Sequence, residues 1–597
     1  MKSVNEKNEI LFTNLEEHFG PKENFSPYSL KNKWRVVPVG TAEYDCNMIT
    51  SYGGRPDDIT FSPELRGWYK IYLHTPGGCM MNIKLTSDPA FLAVATYVTG
   101  IYNMEEMLWR CADMTGESIT LTKKKDGDTR HTMLAAIRFV PMSEEEVEEY
   151  IREEKRQDTK RIYATDDMHN RFCFANQETY EDWLPTALNY YHSDVEWLSI
   201  EQIRTFVSER LPVDNIDDFC FPRQCDKNVQ MNRAKFDYDK VLRMVVEEGH
   251  KIGLKMSVSL RMGAWGMTYP YDQFYFDCDF MEEHPELRTY DRNGDEIRAL
   301  SYAYPEVRAF LINEFLNMAR SGCDAVTLIA HRGIPYVLFE KPVADKFYEL
   351  YGEYPYELPL DEPRLNKLHC DIMTGFMREL REALDREFGK GKIEIHLRSL
   401  YSLRDNLNIG IDAEQWAREG LVNAIVSYPQ RHYERLEGDI WQEGKEYRID
   451  LEKYTEFAHT VTAVCPHPGD FEWLPPYKNY DGSLCGPEDQ TARVGEWMDL
   501  ERKYGVKMYF EILPRQMSCE KFKERALSLY DCGAERIGLW DTYTRVPAKD
   551  IWSTASKLGH KDELRDMPVG QGHDYRLFRI YKIAKADINR YNPMWGG

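Results

Sequence analysis

Two acidic residues late in the chain stand where β-rich runs give way to polar text. In VKMYFEILPR, Glu511 shares a face with Lys507 and Tyr509 by the two-residue alternation of a strand. In RIGLWDTYTR, Asp541 follows Trp540, and because the two alternate only one of them faces a given side. Two carboxyl groups about 5–5.5 Å apart cleave a glycosidic bond with retention, and about 6.5–9.5 Å apart with inversion. One protonates the leaving oxygen while the other serves as nucleophile or base. Each residue also has a plainer use: Glu511 as the ion-pair partner of a loop arginine such as Arg515, and Asp541 as the N-cap of the segment after it.

Further polar residues close other runs. SVSLRMGAW supplies Arg261 and Trp265, and LIAHRG supplies His331 and Arg332. IEIHLRS puts Glu394, His396 and Arg398 on one face. His396 and Arg398, nearest the strand end, read as ligands for substrate hydroxyls or a carboxylate, with Glu394 deeper and structural. Tyr428 closes VNAIVSY and joins the substrate contacts. The arginines suit planar, bidentate recognition of an acidic sugar substituent such as a uronate or sulfate, or else an internal network with Glu511 and Asp541. The stretch PHPGDFEWLPP adds His467, Asp470, Glu472 and Trp473, acids and an aromatic ring of the kind that forms a sugar subsite. Trp265, Trp473 and Trp540 would stack on sugar faces.

The elements that must carry these residues are legible. Seven apolar runs, LKMSVSL, DAVTLIA, KIEIHLR, VNAIVSY, TVTAVCP, VKMYFEI and RIGLWDT, recur between Leu254 and Trp540, most of them separated by amphipathic helical stretches. Strands linked by helices form a parallel sheet. One more strand upstream gives a (β/α)8 barrel, whose chemistry lies at the C-terminal ends of the strands. RIYATDD (161–167), VEWLSI (195–200) and IDDFCF (216–221) compete for that place; if two are strands, one of the seven later runs lies outside the barrel. Helices follow from apolar spacing: Val241, Leu242, Val245 and Val246 up to Gly253, Pro305 to Gly322, Leu365 to Leu384, a short one capped by Asp412, and one around Val494, Trp497 and Met498 ending at Gly505.

Ahead of this, residues 1–30 read as a polar, loosely attached arm. Residues 31–142 read as an antiparallel β-sandwich, from short runs such as WRVVPVG, GWYKIYLHT and MNIKLTS broken by turns. The charged stretch SEEEVEEYIREEKRQ makes 143–160 a solvated helical linker, and 161–597 the barrel domain. The fold class is therefore α/β, a (β/α)8 barrel preceded by an antiparallel β-sandwich.

Bulk properties narrow the function. The 597 residues carry a formal net charge of −23, which argues against nucleic acid and anionic membranes as partners. No apolar run is long enough for a transmembrane helix and the N-terminus lacks a secretory apolar core, so a cytoplasmic protein is expected. Thirteen cysteines without a CxxC pair read as reduced thiols, with no metal site expected. No glycine-rich phosphate loop and no GxSxG elbow is present, and no cofactor is called for. The pattern also lacks a DxxDxDxE run and an acid closing IEIHLRS, which excludes two common barrel-glycosidase layouts. A carbohydrate is the expected partner, and the oligomeric state stays open, a homo-oligomer included.

The stretch HPELRTYDRNGDEIRALSYAYPEVRAFLINEFLNMARSGCDAVTLIAHRG, residues 284–333, resembles the bacterial family-10-like glycosyl-hydrolase group. Those (β/α)8 proteins carry a HPEW element, a PEVR helix and a strand of the form DGIxLDxxR. The likeness runs on through EKPVADKFYELYGEYP, IDAEQWAREGLVN and GLWDT, covering about Arg161 to Leu564. It implies a barrel glycoside hydrolase. One departure matters: with Asp324 on the first Asp of the strand motif, Ile329 stands where the second Asp belongs, while Arg332 matches the basic residue. If that Asp is the group's catalytic acid, this chain has lost or relocated it. The expected activity is hydrolysis of an oligosaccharide by Glu511 and Asp541. The alternatives are a non-catalytic sugar-binding barrel, motivated by Ile329, and a sugar-acid lyase or isomerase, motivated by the arginines.

Overall fold

A computed structural model describes residues 2–4, 8–89, 91–96, 103–123, 131–166, 193–202, 213–218, 231, 237–263, 278–331, 335–358, 362–428, 487–512, 519–540, 549–570, 575–583 and 586–587. The described residues fall into two compact units, one from Met1–Lys160, Asn176–Asp194 and Val546–Gly597, the other from Arg161–Ala175 and Val195–Arg545.

The first unit is mainly antiparallel. In its larger sheet Ala136–Pro141, Trp68–Pro76, Asn103–Asp113, Tyr575–Ile583, Trp34–Thr41 and Asp45–Ser51 lie side by side. A second sheet orders Ile59–Phe61, Ile119–Thr122, Met80–Leu85 and Leu92–Ala95. Alternate residues of both sheets, among them Ile59, Phe61, Ile83 and Leu121 with Ile71, Leu73, Ile137 and Phe139, share one apolar core. Two boundaries differ from the sequence reading. The described stretch 8–30 is not a loose arm: Ile10–Phe12 pairs with Ala136–Pro141, and Phe12, Leu15 and Phe19 are buried in the core. The strand Tyr575–Ile583, grouped with the barrel by chain order, hydrogen-bonds between Asn103–Asp113 and Trp34–Thr41. Glu144–Glu154 is the expected helix, with a Ser143–Glu146 capping box and no buried residue.

Ion pairs knit this unit across its strands. His560 is held on both sides, its Nδ1 2.7 Å from Asp194 Oδ2 and its Nε2 against Glu153 Oε1. Burial works to lower its pKa, but the hydrogen bonds and charges of Asp194 and Glu153 outweigh it and raise the value above the ordinary 6.5. The sign follows: the folded state binds this proton more tightly, so the contribution is complete below pH 6.5 and is lost as the pH rises through the folded value. Denaturation midpoints measured from pH 6 to pH 9 are therefore expected to fall more steeply in the parent protein than in His560→Gln. Parallel pH curves would contradict this.

The second unit is a closed barrel of eight parallel strands: Ile162–Asp166, Val195–Glu201, Lys255–Arg261, Ala325–Ile329, Glu394–Ser399, Ala424–Ser427, Lys507–Glu511 and Ile537–Trp540. These are called the first to eighth strands below. Two upstream runs supply the first pair and six of the seven later runs supply the rest. The eight close without TVTAVCP (460–466), which lies outside the described residues; of IDDFCF, only the part in the 3-10 turn Val213–Asp218 is described. The connecting helices begin as their sequence directs, with Asp237 capping Tyr238–Lys251, Pro305 opening Pro305–Ala319 and Asp412 capping Ala413–Arg418.

Candidate functional site: the C-terminal mouth of the barrel

Strand alternation sends Thr165, Arg398 and Glu511 inward near the C-terminal ends of the first, fifth and seventh strands. They meet there. Arg398 donates from Nη1 to Thr165 Oγ1 (2.5 Å) and from Nη2 to Glu511 Oε2, and both members of this ion pair are fully buried. Gly538 of the eighth strand makes the room: a Cβ there would stand 2.7 Å from Glu511 Oε2 and 3.0 Å from Val426 Cγ1. The other side of the guanidinium lies over the Trp540 ring, 4.4 Å from its centroid. Trp540 meets His331 edge-on at 5.1 Å, and His331 stacks on Tyr428 at 4.0 Å with 15° between planes. A second ion pair closes the rim at the second and third strands, with Arg261 Nε 2.6 Å from Glu201 Oε1 and Nη2 donating to Oε2 (3.0 Å). The turns behind it are braced by tyrosines: Tyr302 donates to the Met262 carbonyl (2.7 Å) and Tyr336 to that of Ala330.

Below this level the interior is polar, where barrels usually pack branched apolar side chains. His396 is fully buried in mid-barrel: Nδ1 is 3.0 Å from the Tyr163 hydroxyl and Nε2 is 2.9 Å from Glu394 Oε2. Tyr163 also meets Thr327 Oγ1 (2.8 Å), which lies 2.5 Å from Ser257 Oγ. Burial pulls the His396 pKa down against the opposing pull of Glu394. At the opposite end Glu196 takes a bond from Tyr509 (2.8 Å) and pairs with Lys255 (2.8 Å) and Lys507 (3.0 Å).

The structure thus gathers Glu511, Arg398, Trp540, His331 and Tyr428 in one place and sets Arg261 on the same rim. His396 is a correction, because it is packed inside, 4.5 Å from the Trp197 ring centroid, and not at the strand end. Glu511 pairs with Arg398, and Arg515 lies outside the described residues. Trp540 faces the axis, over Arg398. Asp541, Trp265, Arg332, His467, Asp470, Glu472 and Trp473 lie outside the described residues. Glu201 and Thr165 were missed by sequence reasoning; Thr165 lies inside RIYATDD and Glu201 directly follows VEWLSI, two of the three runs competing for the first strand, and Glu201 stands beside Ser259 in the register. Ile329, at the place of the resemblance's second Asp, is buried at the end of the fourth strand. Among the described residues no cluster of His, Cys, Asp and Glu is arranged to hold a metal ion, and no helix is long and apolar enough to cross a membrane.

No protein-family model matches the chain, and a search of curated proteins returns no match. Solved structures similar to it include the PgaB glycoside hydrolase domain from Bordetella bronchiseptica, at 11% identity over 65% of this chain and 96% of that one, with a TM-score of 0.38. The catalytic domain of β-amylase from Paenibacillus polymyxa is similar at 10% identity over 68% and 99%, TM-score 0.37. α-L-Fucosidase isoenzyme 2 from Paenibacillus thiaminolyticus is similar at 13% over 68% and 50%, TM-score 0.37. The assignment of fold rests on the chain's own closed eight-stranded sheet.

Proposed function

We propose that this protein is a glycoside hydrolase acting on an oligosaccharide at the C-terminal mouth of its barrel. The observation that carries the reading is Glu511, a strand-end carboxylate set against Arg398 beneath the aromatic group of Trp540, His331 and Tyr428. A carboxylate beside a guanidinium suits the nucleophile or base, and Asp541 is assigned the proton transfer to the leaving oxygen. Glu201, gripped by Arg261 through two contacts, is assigned a structural role. Both described rim arginines already face a carboxylate, which favours a neutral sugar over an acidic one. Glu511→Gln and Asp541→Asn, assayed on a panel of aryl glycosides and neutral oligosaccharides, are each expected to lose at least about 100-fold in kcat. A Glu511→Gln protein with undiminished turnover would remove the proposal. The second reading, a sugar-binding barrel without catalysis, is motivated by Ile329 and predicts binding with no turnover in the parent protein.

A further inference from the structure

The helix Lys341–Tyr351 ends at Gly352, whose left-handed φ of 75° turns the chain back on itself. The turn is then fixed by Pro355, buried at the start of the 3-10 turn Pro355–Glu357. The reversal brings Tyr354 onto Tyr348, with centroids 4.7 Å apart and 26° between planes, and Tyr356 onto Tyr354, at 5.7 Å and 20°. Three near-parallel rings form one ladder, and they remain 49%, 50% and 37% exposed for Tyr348, Tyr354 and Tyr356. A ladder of aromatic rings left in water carries a solvation cost that a bound apolar face would relieve.

Its position is set by the helix Pro363–Phe388, which leads through a short turn into the fifth strand and so begins on the C-terminal side of the barrel. Arg364, in its first turn, pairs with Glu353 (2.7 Å) and lies over the Tyr351 ring at 5.2 Å. The ladder therefore belongs to the same side of the barrel as the mouth.

We infer that the Tyr348–Tyr354–Tyr356 ladder is a surface binding site for a neutral polysaccharide chain, separate from the mouth; the choice of ligand class rests on the proposed hydrolase function. Charge points away from an anionic ligand. The cations bordering the ladder are each paired, Lys346 with Glu349 (2.8 Å), Lys341 with Asp345, and Arg364 with both Glu353 and Glu362, and Glu357 adds a further negative charge, so nothing here attracts an acidic chain. Size points away from a second protein. The exposed parts of the three rings amount to roughly 300 Å², against about 800 Å² per partner in a stable protein interface. Sugar rings have apolar C–H faces that stack on tyrosine and edge hydroxyls that bond to the phenols and the surrounding charged groups.

The test is affinity electrophoresis of the full chain through gels containing hydroxyethyl cellulose, galactomannan, xylan or soluble starch. The parent protein is expected to be retarded by at least one of them. Tyr348→Ala/Tyr354→Ala should weaken that interaction about tenfold or more, while Tyr348→Phe/Tyr354→Phe keeps it. Glu511→Gln should be retarded like the parent, since the mouth is a different site. The inference is overturned if no polysaccharide retards the parent, if the double-alanine protein is retarded equally, or if sedimentation shows a dimer that the alanines dissociate. Turnover of short aryl glycosides by the double-alanine protein reports on the mouth alone, so failure of the ladder and failure of the hydrolase reading give different results.

Discussion

Arg398→Met is expected to destabilise the barrel by about 3–5 kcal/mol, because it leaves the Glu511 carboxylate buried with its guanidinium gone. Both side chains are fully buried, so the carboxylate left behind would be poorly hydrated. Thr165 loses the Nη1 donor and the Trp540 face loses the guanidinium above it. The size of the loss reflects the abandoned charge more than the worth of the pair, since buried ion pairs often gain little over apolar residues of similar volume. Arg398→Met/Glu511→Leu should therefore recover most of the stability lost in the single variant. Urea midpoints followed by tryptophan fluorescence make the comparison. A single variant that costs less than about 1 kcal/mol, or a double variant no better than the single, would show that the charge on Glu511 is compensated elsewhere. The same pair separates structure from catalysis. If Glu511 only holds the barrel together, the double variant regains turnover with stability; if it reacts with substrate, stability returns and turnover does not.

The barrel was legible because each strand is an apolar run of four to seven residues and the helices between them carry caps. What the runs could not settle was which of them closes the circle. Closure is a long-range condition, in which Ile162–Asp166 must pair with Ile537–Trp540 across nearly the whole unit, and nothing local to either run encodes it. Depth was a second blind spot. Alternation correctly put His396 and Arg398 on one face, but two residues of strand separate them by about 7 Å along the axis, enough to move a side chain from the mouth to the closed interior. An internal network of the strand-end arginines with Glu511 was one sequence reading, but which arginine meets it was hidden for a related reason: Arg398 stands on the fifth strand and Glu511 on the seventh, so they meet only through the tilt and stagger of a closed barrel. In the antiparallel unit, YRLFRIYKI alternates as a strand should, yet chain order suggested the barrel and only the register with Asn103–Asp113 gives its true place.

That register leads to the other large effect. Glu106 lies opposite His74 on one side and Arg576 on the other, and its carboxylate meets three partners: His74 Nε2 at 2.6 Å, Arg138 by two bonds of 2.8 Å, and Arg576 Nε at 2.6 Å. Tyr44 completes the set through its hydroxyl, 2.7 Å from His74 Nδ1. Burial acts to raise the Glu106 pKa, but the bonds from His74, Arg576 and Arg138 overcome it and hold the carboxyl well below the ordinary carboxylate range. Glu106→Leu leaves two guanidinium groups and a buried imidazole without their common acceptor, at an expected cost of about 3–5 kcal/mol. Because Arg576 is the residue by which Tyr575–Ile583 grips this cluster, the loss should be read there: amide protection along that strand should fall at least about 100-fold in hydrogen exchange. The pH dependence has a fixed sign. A depressed carboxyl pKa contributes stability that is present above the ordinary value of 4.5 and lost as the pH falls through the folded one. The gap in urea midpoint between parent and Glu106→Leu should therefore be wide at pH 7 and narrow on acidification below 4.5; a gap of equal width throughout would mean that the cluster contributes through packing and not through charge.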